Sequence, residues 1–357
     1  MIKKTAVFVL VLFLLSGCSG IESKKTGTVI VDALGREVSF SNNPLQIVIA
    51  GKQTPTLANF AYMFAGEVEK ILAIENRSQS SNKFLSLIDP QFESKLIIEK
   101  GAAAEQIAPM EPDAVILKSS MKEQIGDQLE LVGIPLVYVS FETIDEIYRD
   151  VRIFGVLLND QETSEKIIDF YSRSKDAIDK MVATSNSYPK ALILQIDQSE
   201  EAFIYSVPAV DWLQTTMVEE LNGMPVWKED TSAGGWMEVG LEQIIAWQPE
   251  IIIVVNYQGQ SLEIINKIKN DAVWLEFLDT SSVEIKPFVY DFQSWDQPDP
   301  RWILGYANLA QYLHPQVVPA NFLYGLVQDF YKDLYGLDLD FIESEIIPLI
   351  TQQIEIE

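Results

Sequence analysis

Cysteine, histidine and positive charge are scarce in this 357-residue chain. It has one cysteine, Cys18, one histidine, His314, and 26 lysines and arginines against 52 acidic residues. A lone cysteine closes no internal disulfide and builds no thiolate metal site. A lone histidine rules out histidine-rich zinc and manganese sites, and it leaves no spare imidazole for a Ser-His-Asp set. Placed just before Pro315, His314 reads as a helix-end cap or a surface residue. No P-loop and no complete dinucleotide fingerprint occurs. The formal charge of −26 repels phosphate backbones and anionic lipid heads, so nucleic acid is excluded as a partner. Beyond Cys18 no apolar run approaches the length that spans a bilayer, and no low-complexity tract or tandem repeat is present. Carboxylates are so abundant that the pair Asp296 and Asp299 is no mark of glycosidase chemistry.

What is present begins with Lys3 and Lys4, an apolar run over 6–15, and Leu15-Ser16-Gly17-Cys18. That run is too short for a permanent span and has the shape of a secretory leader. The Leu-Ser-Gly-Cys ending resembles the lipobox of bacterial lipoproteins, which implies cleavage before Cys18 and lipid on its thiol. Residues 1–17 are therefore the expected leader and 18–27 a small, polar tether. The body is expected outside the cytoplasm, held to the membrane through Cys18.

The remaining length fits two lobes, and 48% hydrophobic residues fill their cores. A hairpin is predicted over 28–40, turning at Ala33-Leu34-Gly35. Apolar runs at 47–50, 71–74, 114–117 and 136–139, with helices between them, predict parallel strands buried on both faces. This is a first α/β lobe over 28–142. A helical bridge follows over 143–184. Thr143 to Glu146 reads as a capping box, and a second segment over 162–182 carries Ile167, Tyr171 and Ile178 on one face. The alternation then resumes in a second α/β lobe over 185–357.

Ligands of open α/β sheets sit at the carboxyl ends of strands, and facing lobes enclose them. The candidate residues are therefore Lys52, Gln53, Arg77 and Lys118 from the first lobe. The second lobe supplies Tyr205, Trp236, Tyr257, Trp295 and Arg301. Arg301 offers paired donors for a carboxylate, catecholate or oxyanion at a helix start; an ion pair with Asp296 or Asp299 is the structural alternative. Trp236, after two glycines, offers a ring for a planar chelate, with a core position as its alternative. Trp212, beside Leu213, reads as core.

Several short motifs then fall in a known order. They are Val31 to Val38 followed by Pro44, Gly101 and Glu105 before Pro112-Asp113-Ala114-Val115-Ile116, and the run 131–137. In the second half come Glu242-Gln243 with Trp247 and Pro249, Trp295-Asp296 with Pro300-Arg301, and His314-Pro315. This series resembles the helical-backbone binding proteins of ABC importers for iron-siderophores, haem and cobalamin, and it covers nearly all of the mature chain. One departure is Leu221-Asn222-Gly223-Met224-Pro225, where many members carry Gly-Gly-x-Asn beside the cleft. The resemblance implies two Rossmann-like α/β lobes joined by a single long backbone helix, with a ligand cleft between lobes and little closure. It matches Trp236 to a cleft aromatic. It also implies that Glu105 and Glu242, one per lobe, dock on arginines of a permease dimer. The expected protein is a monomer without cofactor or catalysis, and its ligand is a metal chelate, a ferric siderophore or haem first. A corrinoid, molybdate or tungstate is the alternative ligand. A chelatase-like enzyme or a lipid-anchored sensor is the alternative of another class, and the shortage of histidine disfavours the enzyme.

Overall fold

The computed structural model describes residues 27–76, 83–198 and 202–354. Cys18, the expected leader and most of the tether lie outside the described residues, and so does Arg77. The chain opens with a hairpin of β1 (Thr28–Val31) and β2 (Glu37–Phe40). Asp32 closes its turn by accepting the backbone N–H groups of Leu34 and Arg36 at 2.9 and 3.1 Å, and Gly35 takes the left-handed conformation at φ 74°.

The first lobe then alternates β3 (Ile47–Ile49), α1 (Thr54–Tyr62), β4 (Ile71–Glu75), α2 (Lys83–Ile88), β5 (Leu96–Ile98), α3 (Ala104–Ile107), β6 (Ala114–Lys118), α4 (Asp127–Leu131) and β7 (Leu136–Val139). Its sheet has the order β5-β4-β3-β6-β7 and is parallel throughout. Strands β3, β6 and β7 are wholly buried, as continuous apolar runs require when helices cover both faces. Strand β5 is a short edge strand with Leu96 and Ile97 exposed, too weakly patterned to be read from sequence.

The bridge is not one rod. It consists of α5 (Ile144–Leu157) and α6 (Gln161–Val182), interrupted where Asn159 turns left-handed at φ 61°. Asp160 restarts the helix by accepting the N–H of Thr163. At the start of α5, Thr143 Oγ1 accepts from the Glu146 N–H, and Glu146 returns a bond to the N–H of Glu142 rather than of Thr143. The longer helix α6 has 22 residues, about 33 Å of rise.

The second lobe contains β8 (Lys190–Gln198), β9 (Phe203–Val207), α7 (Leu213–Glu220), β10 (Met224–Pro225), β11 (Met237–Val239), α8 (Leu241–Trp247), β12 (Ile251–Val255), α9 (Ser261–Ile268), α10 (Ala272–Thr280), β13 (Glu284–Pro287), α11 (Trp302–Leu313) and α12 (Ala320–Tyr335). Its sheet order is β11-β9-β8-β12-β13, with β10 beside β8. Strands β8, β12 and β13 are parallel; β9 runs antiparallel to both its neighbours, β8 and β11, and is the one reversed strand on that path. The second lobe is therefore a mixed α/β sheet and not a copy of the first. The connection from β8 to β9 is too short for a helical crossover and permits only a hairpin.

One apolar core runs from the first lobe through α5 and α6 into the second, joining Phe60, Phe141, Phe154, Tyr171, Trp302 and Phe330. A smaller core around Val48, Val115 and Leu129 covers the other face of the first sheet. The lobes are also tied by polar contacts. Asn59 Nδ2 donates to Asp299 Oδ2 at 2.8 Å, Tyr335 Oη to the Asn59 carbonyl at 3.1 Å, and Tyr171 Oη to the Pro300 carbonyl at 3.0 Å. His314 is buried rather than on the surface. Its Nε2 lies 2.6 Å from the Leu221 carbonyl and its Nδ1 3.0 Å from Ser185 Oγ. No helix among the described residues is long and apolar enough to cross a membrane.

Candidate ligand cleft

In the first sheet β3 lies between β4 and β6, so the connections after β3 and β6 diverge and open a crevice at their carboxyl ends. There a cleft of about 190 Å³ separates the lobes. The first lobe contributes Gln53, after β3, and Glu142, after β7. The second contributes Trp212 and Gln214 at the start of α7, Trp236 before β11, Tyr257 after β12, and Gln297 after β13. Three aromatic rings form one wall. Trp236 meets Trp212 edge-on at 5.6 Å between centroids and Tyr257 at 6.1 Å.

Each group of cleft residues is held from behind by a buried carboxylate. Glu75, at the end of β4, accepts the N–H of Gly51 at 2.7 Å and of Gly101 at 2.9 Å, fixing the loop that presents Gln53. Gly51 sits at φ 85°, and a side chain there would collide with Met121. Gln53 itself is left-handed at φ 52°, a conformation that costs a non-glycine residue on the order of 1 kcal/mol. Its Oε1 is buried and has no partner among the described residues. Asp150 accepts the N–H groups of Ser140 and Phe141 at 2.6 and 2.8 Å. It thereby stabilises the left-handed Phe141 (φ 54°) that precedes Glu142. Asp296 is fully buried and accepts from Gln214 Nε2 at 3.0 Å, from Tyr257 Oη at 2.9 Å and from Ser294 Oγ. Burial raises the Asp296 pKa above its ordinary 3.8 despite those bonds. Burial, then the neighbouring Asp296 charge, raises the Tyr257 hydroxyl well above 10.

Of the residues expected at the cleft, Gln53, Trp236 and Tyr257 line it. Lys52 is exposed beside Gln53 and does not line the cavity. Lys118 is buried, with Nζ bonded to the Ser140 carbonyl and 2.6 Å from Glu142 Oε1, so it reaches the cleft only through Glu142. Burial lowers its pKa against the pull of Glu142. Tyr205 lies on β9 instead of in a loop, and its hydroxyl accepts from Trp274 Nε1 at 2.8 Å. Trp295 is 0% exposed and belongs to the large core shared by both lobes.

Arg301 is also withdrawn. It is fully enclosed, with Nε 3.0 Å from Asp291 Oδ2 and Nη1 2.9 Å from Asp299 Oδ1, and its guanidinium lies 4.5 Å from the Phe84 ring centre. The structural alternative read for it, an ion pair with Asp299, is what the chain forms, with Asp291 added. In the other direction, Trp212 lines the cleft although its setting beside Leu213 suggested core. It occupies the position before the first turn of α7, and that turn points Leu213 inward and leaves Trp212 half-buried at the opening. Gln214, Gln297 and Glu142 were also missed. Their only sequence signal was a place at a helix start or strand end. Glu105 and Glu242 are exposed in the first turns of α3 and α8, one on each lobe.

Comparison with known proteins accords with this architecture. A model of the periplasmic binding protein family matches residues 67–280. The molybdate-binding protein MolA of Haemophilus influenzae is 22% identical over 329 residues, covering 86% of this chain and 90% of that protein. Its molybdate-bound structure superposes with a TM-score of 0.68 at 17% identity, covering 87% of this chain and 98% of that one. A periplasmic solute binding protein from Veillonella parvula superposes with a TM-score of 0.72 at 22% identity over 91% of this chain and 98% of that one. The TroA-like periplasmic binding protein FepB from Veillonella parvula gives 0.68 at 14% identity, over 85% and 95%. The match runs over more than half of the residues and includes Glu142, Trp212, Gln214, Trp236 and Tyr257 of the cleft, and this chain belongs to the periplasmic binding protein family, the solute-capturing components of ABC importers.

Proposed function

We propose that the interlobe cleft captures a metal chelate outside the cytoplasm and delivers it to the permease of an ABC importer. The observation that carries this reading is the aromatic wall of Trp212, Trp236 and Tyr257. Such a surface stacks on a chelate's ligand shell and buries apolar area with little loss of side-chain freedom. The enclosed volume takes one face of a bulky complex, and the rest stands in the open mouth. A ferric siderophore is the first candidate. In this reading Cys18 carries the lipid that holds the protein at the membrane, and Glu105 and Glu242 orient docking by complementary charge. Uptake by Glu105→Ala and Glu242→Ala variants with unchanged ligand affinity should then fall.

Protein purified from its source tests the ligand. Native mass spectrometry should show an added mass, and the sample should carry a visible absorption band. A colourless, unliganded protein that no ferric complex stabilises would overturn the reading.

The small cavity favours a second reading. About 190 Å³ is less than the roughly 300–1,000 Å³ usual for sites that enclose drug-sized ligands, and MolA is a molybdate-binding protein. A compact oxyanion would fill such a cavity. Thermal stabilisation by molybdate or tungstate, with none by ferric chelates, would establish it.

A further inference from the structure

Resting on the capture of a chelate in this cleft, we infer that the ligand presents a positive or uncharged, hydrogen-donating face to the pocket, and that anionic chelates are rejected. Three independent features converge on this.

The first is the direction of the hydrogen bonds. Tyr257 gives its single hydroxyl proton to Asp296, and Gln214 gives an N–H to the same carboxylate. Toward any ligand the Tyr257 oxygen therefore acts only as an acceptor. Asp296 is held by three donors and fully buried, so while its carboxylate is ionised this polarity is built into the floor. The second is the charge around the pocket. Among the described residues, the one ionisable side chain that faces the cavity from the first lobe is Glu142, whose side chain is 52% exposed. Its partner Lys118 is 3% exposed and offers no ammonium group to a ligand. A neighbouring groove of about 410 Å³ shares Glu142 and Leu213 with the cleft and adds Asp145, Asp176 and Glu220. Its Lys175 is already paired with Asp179 and Glu220 at 2.8 and 3.0 Å. Arg301, which would have served an anion, is closed off by Asp291 and Asp299. The third is the aromatic wall, since ring faces attract cations and repel anions through their quadrupole. The net charge of −26 adds a long-range field of the same sign.

A matched pair of probes isolates charge from shape. One is a linear ferric trihydroxamate with a free terminal amine, which is cationic. The other is the same chelate succinylated at that amine, which is anionic. Full-length protein should bind the cationic form at least about tenfold more tightly, and Glu142→Gln should narrow that gap. Equal or tighter binding of the anionic form would overturn the inference while leaving chelate capture intact. Thermal shifts with tetramethylammonium and with molybdate cover the case in which neither chelate binds. Stabilisation by tetramethylammonium alone would uphold the charge preference and remove the chelate reading, and stabilisation by molybdate alone would overturn both. Circular dichroism on Glu142→Gln checks that the variant is folded, because the substitution removes the counter-charge of the buried Lys118. If it fails to fold, the wild-type ratio between the two probes decides.

Discussion

Arg301 illustrates how a charged residue in a cleft-forming motif is diverted to structure. Burial works against its charge. Asp291, the Tyr331 hydroxyl and Asp299 outweigh that penalty and raise its pKa well above the ordinary guanidinium value. Removing one member of such a network strands the others. Arg301→Met should therefore lower stability by about 3–5 kcal/mol in urea unfolding, with any loss of binding following from unfolding. Lys118 behaves differently because Glu142 is half-exposed and finds water when its partner leaves. Lys118→Met should leave the melting temperature unchanged or raise it, and should make the cleft more selective for cations. Asp296 gives a pH signature. Its folded-state pKa is raised, so the native state holds that proton more tightly than the unfolded chain. The resulting contribution is fully present below the ordinary carboxylate range and fades as pH rises through the raised value. The stability of wild type relative to Asp296→Asn should thus increase as pH is lowered from neutral into the ordinary carboxylate range. A constant difference in thermal scans across that range would contradict the assignment.

At the scale of elements, the cleft is a set of strand-end loops, and that is why part of it was legible in the sequence. Gln53 and Tyr257 each follow a continuous apolar strand, which placed them at the carboxyl edge, whereas Trp236 was placed by the glycine pair before it and by the family resemblance. It did not say which side of a loop faces the cavity. The segment after β13 turns back under the second lobe, bringing Asp296 beneath the cleft and burying Trp295 and Arg301. Tyr205 was misplaced because the polar residues at the end of β8 gave no sign that the chain returns beside it as the antiparallel strand β9. Trp212 was misplaced because a residue just before a helix can face out while its neighbour faces in. The residues of the bridge read as two helical segments, the second over 162–182, whereas the single long helix was what the family resemblance implied; Asn159 stands at the break between α5 and α6. The left-handed Gln53 offers a direct test of a loop shaped for its ligand. Gln53→Gly relieves the backbone and should hold stability within roughly 1 kcal/mol of wild type or improve it. Ligand affinity should nevertheless fall, because the amide is gone. Affinity equal to wild type in a calorimetric titration would show that the loop's strain serves something else.

For the whole molecule, the two-lobed α/β architecture was readable from the alternation of apolar runs and helices, whereas the intimacy of the lobes was not. One core runs through α5 and α6 into both, and the contact from Asn59 to Asp299 crosses between them. Such a body should close little, and the radius of gyration from solution scattering should change only slightly when ligand is added. The account depends most on the aromatic wall as the place of capture. The most direct measurement is calorimetric titration of the cationic ferric trihydroxamate into wild type and into the double variant Trp212→Ala, Trp236→Ala. Saturable one-to-one binding that weakens by at least about tenfold in a variant of unchanged fold is the predicted result. Binding unaffected by loss of both rings would contradict the account.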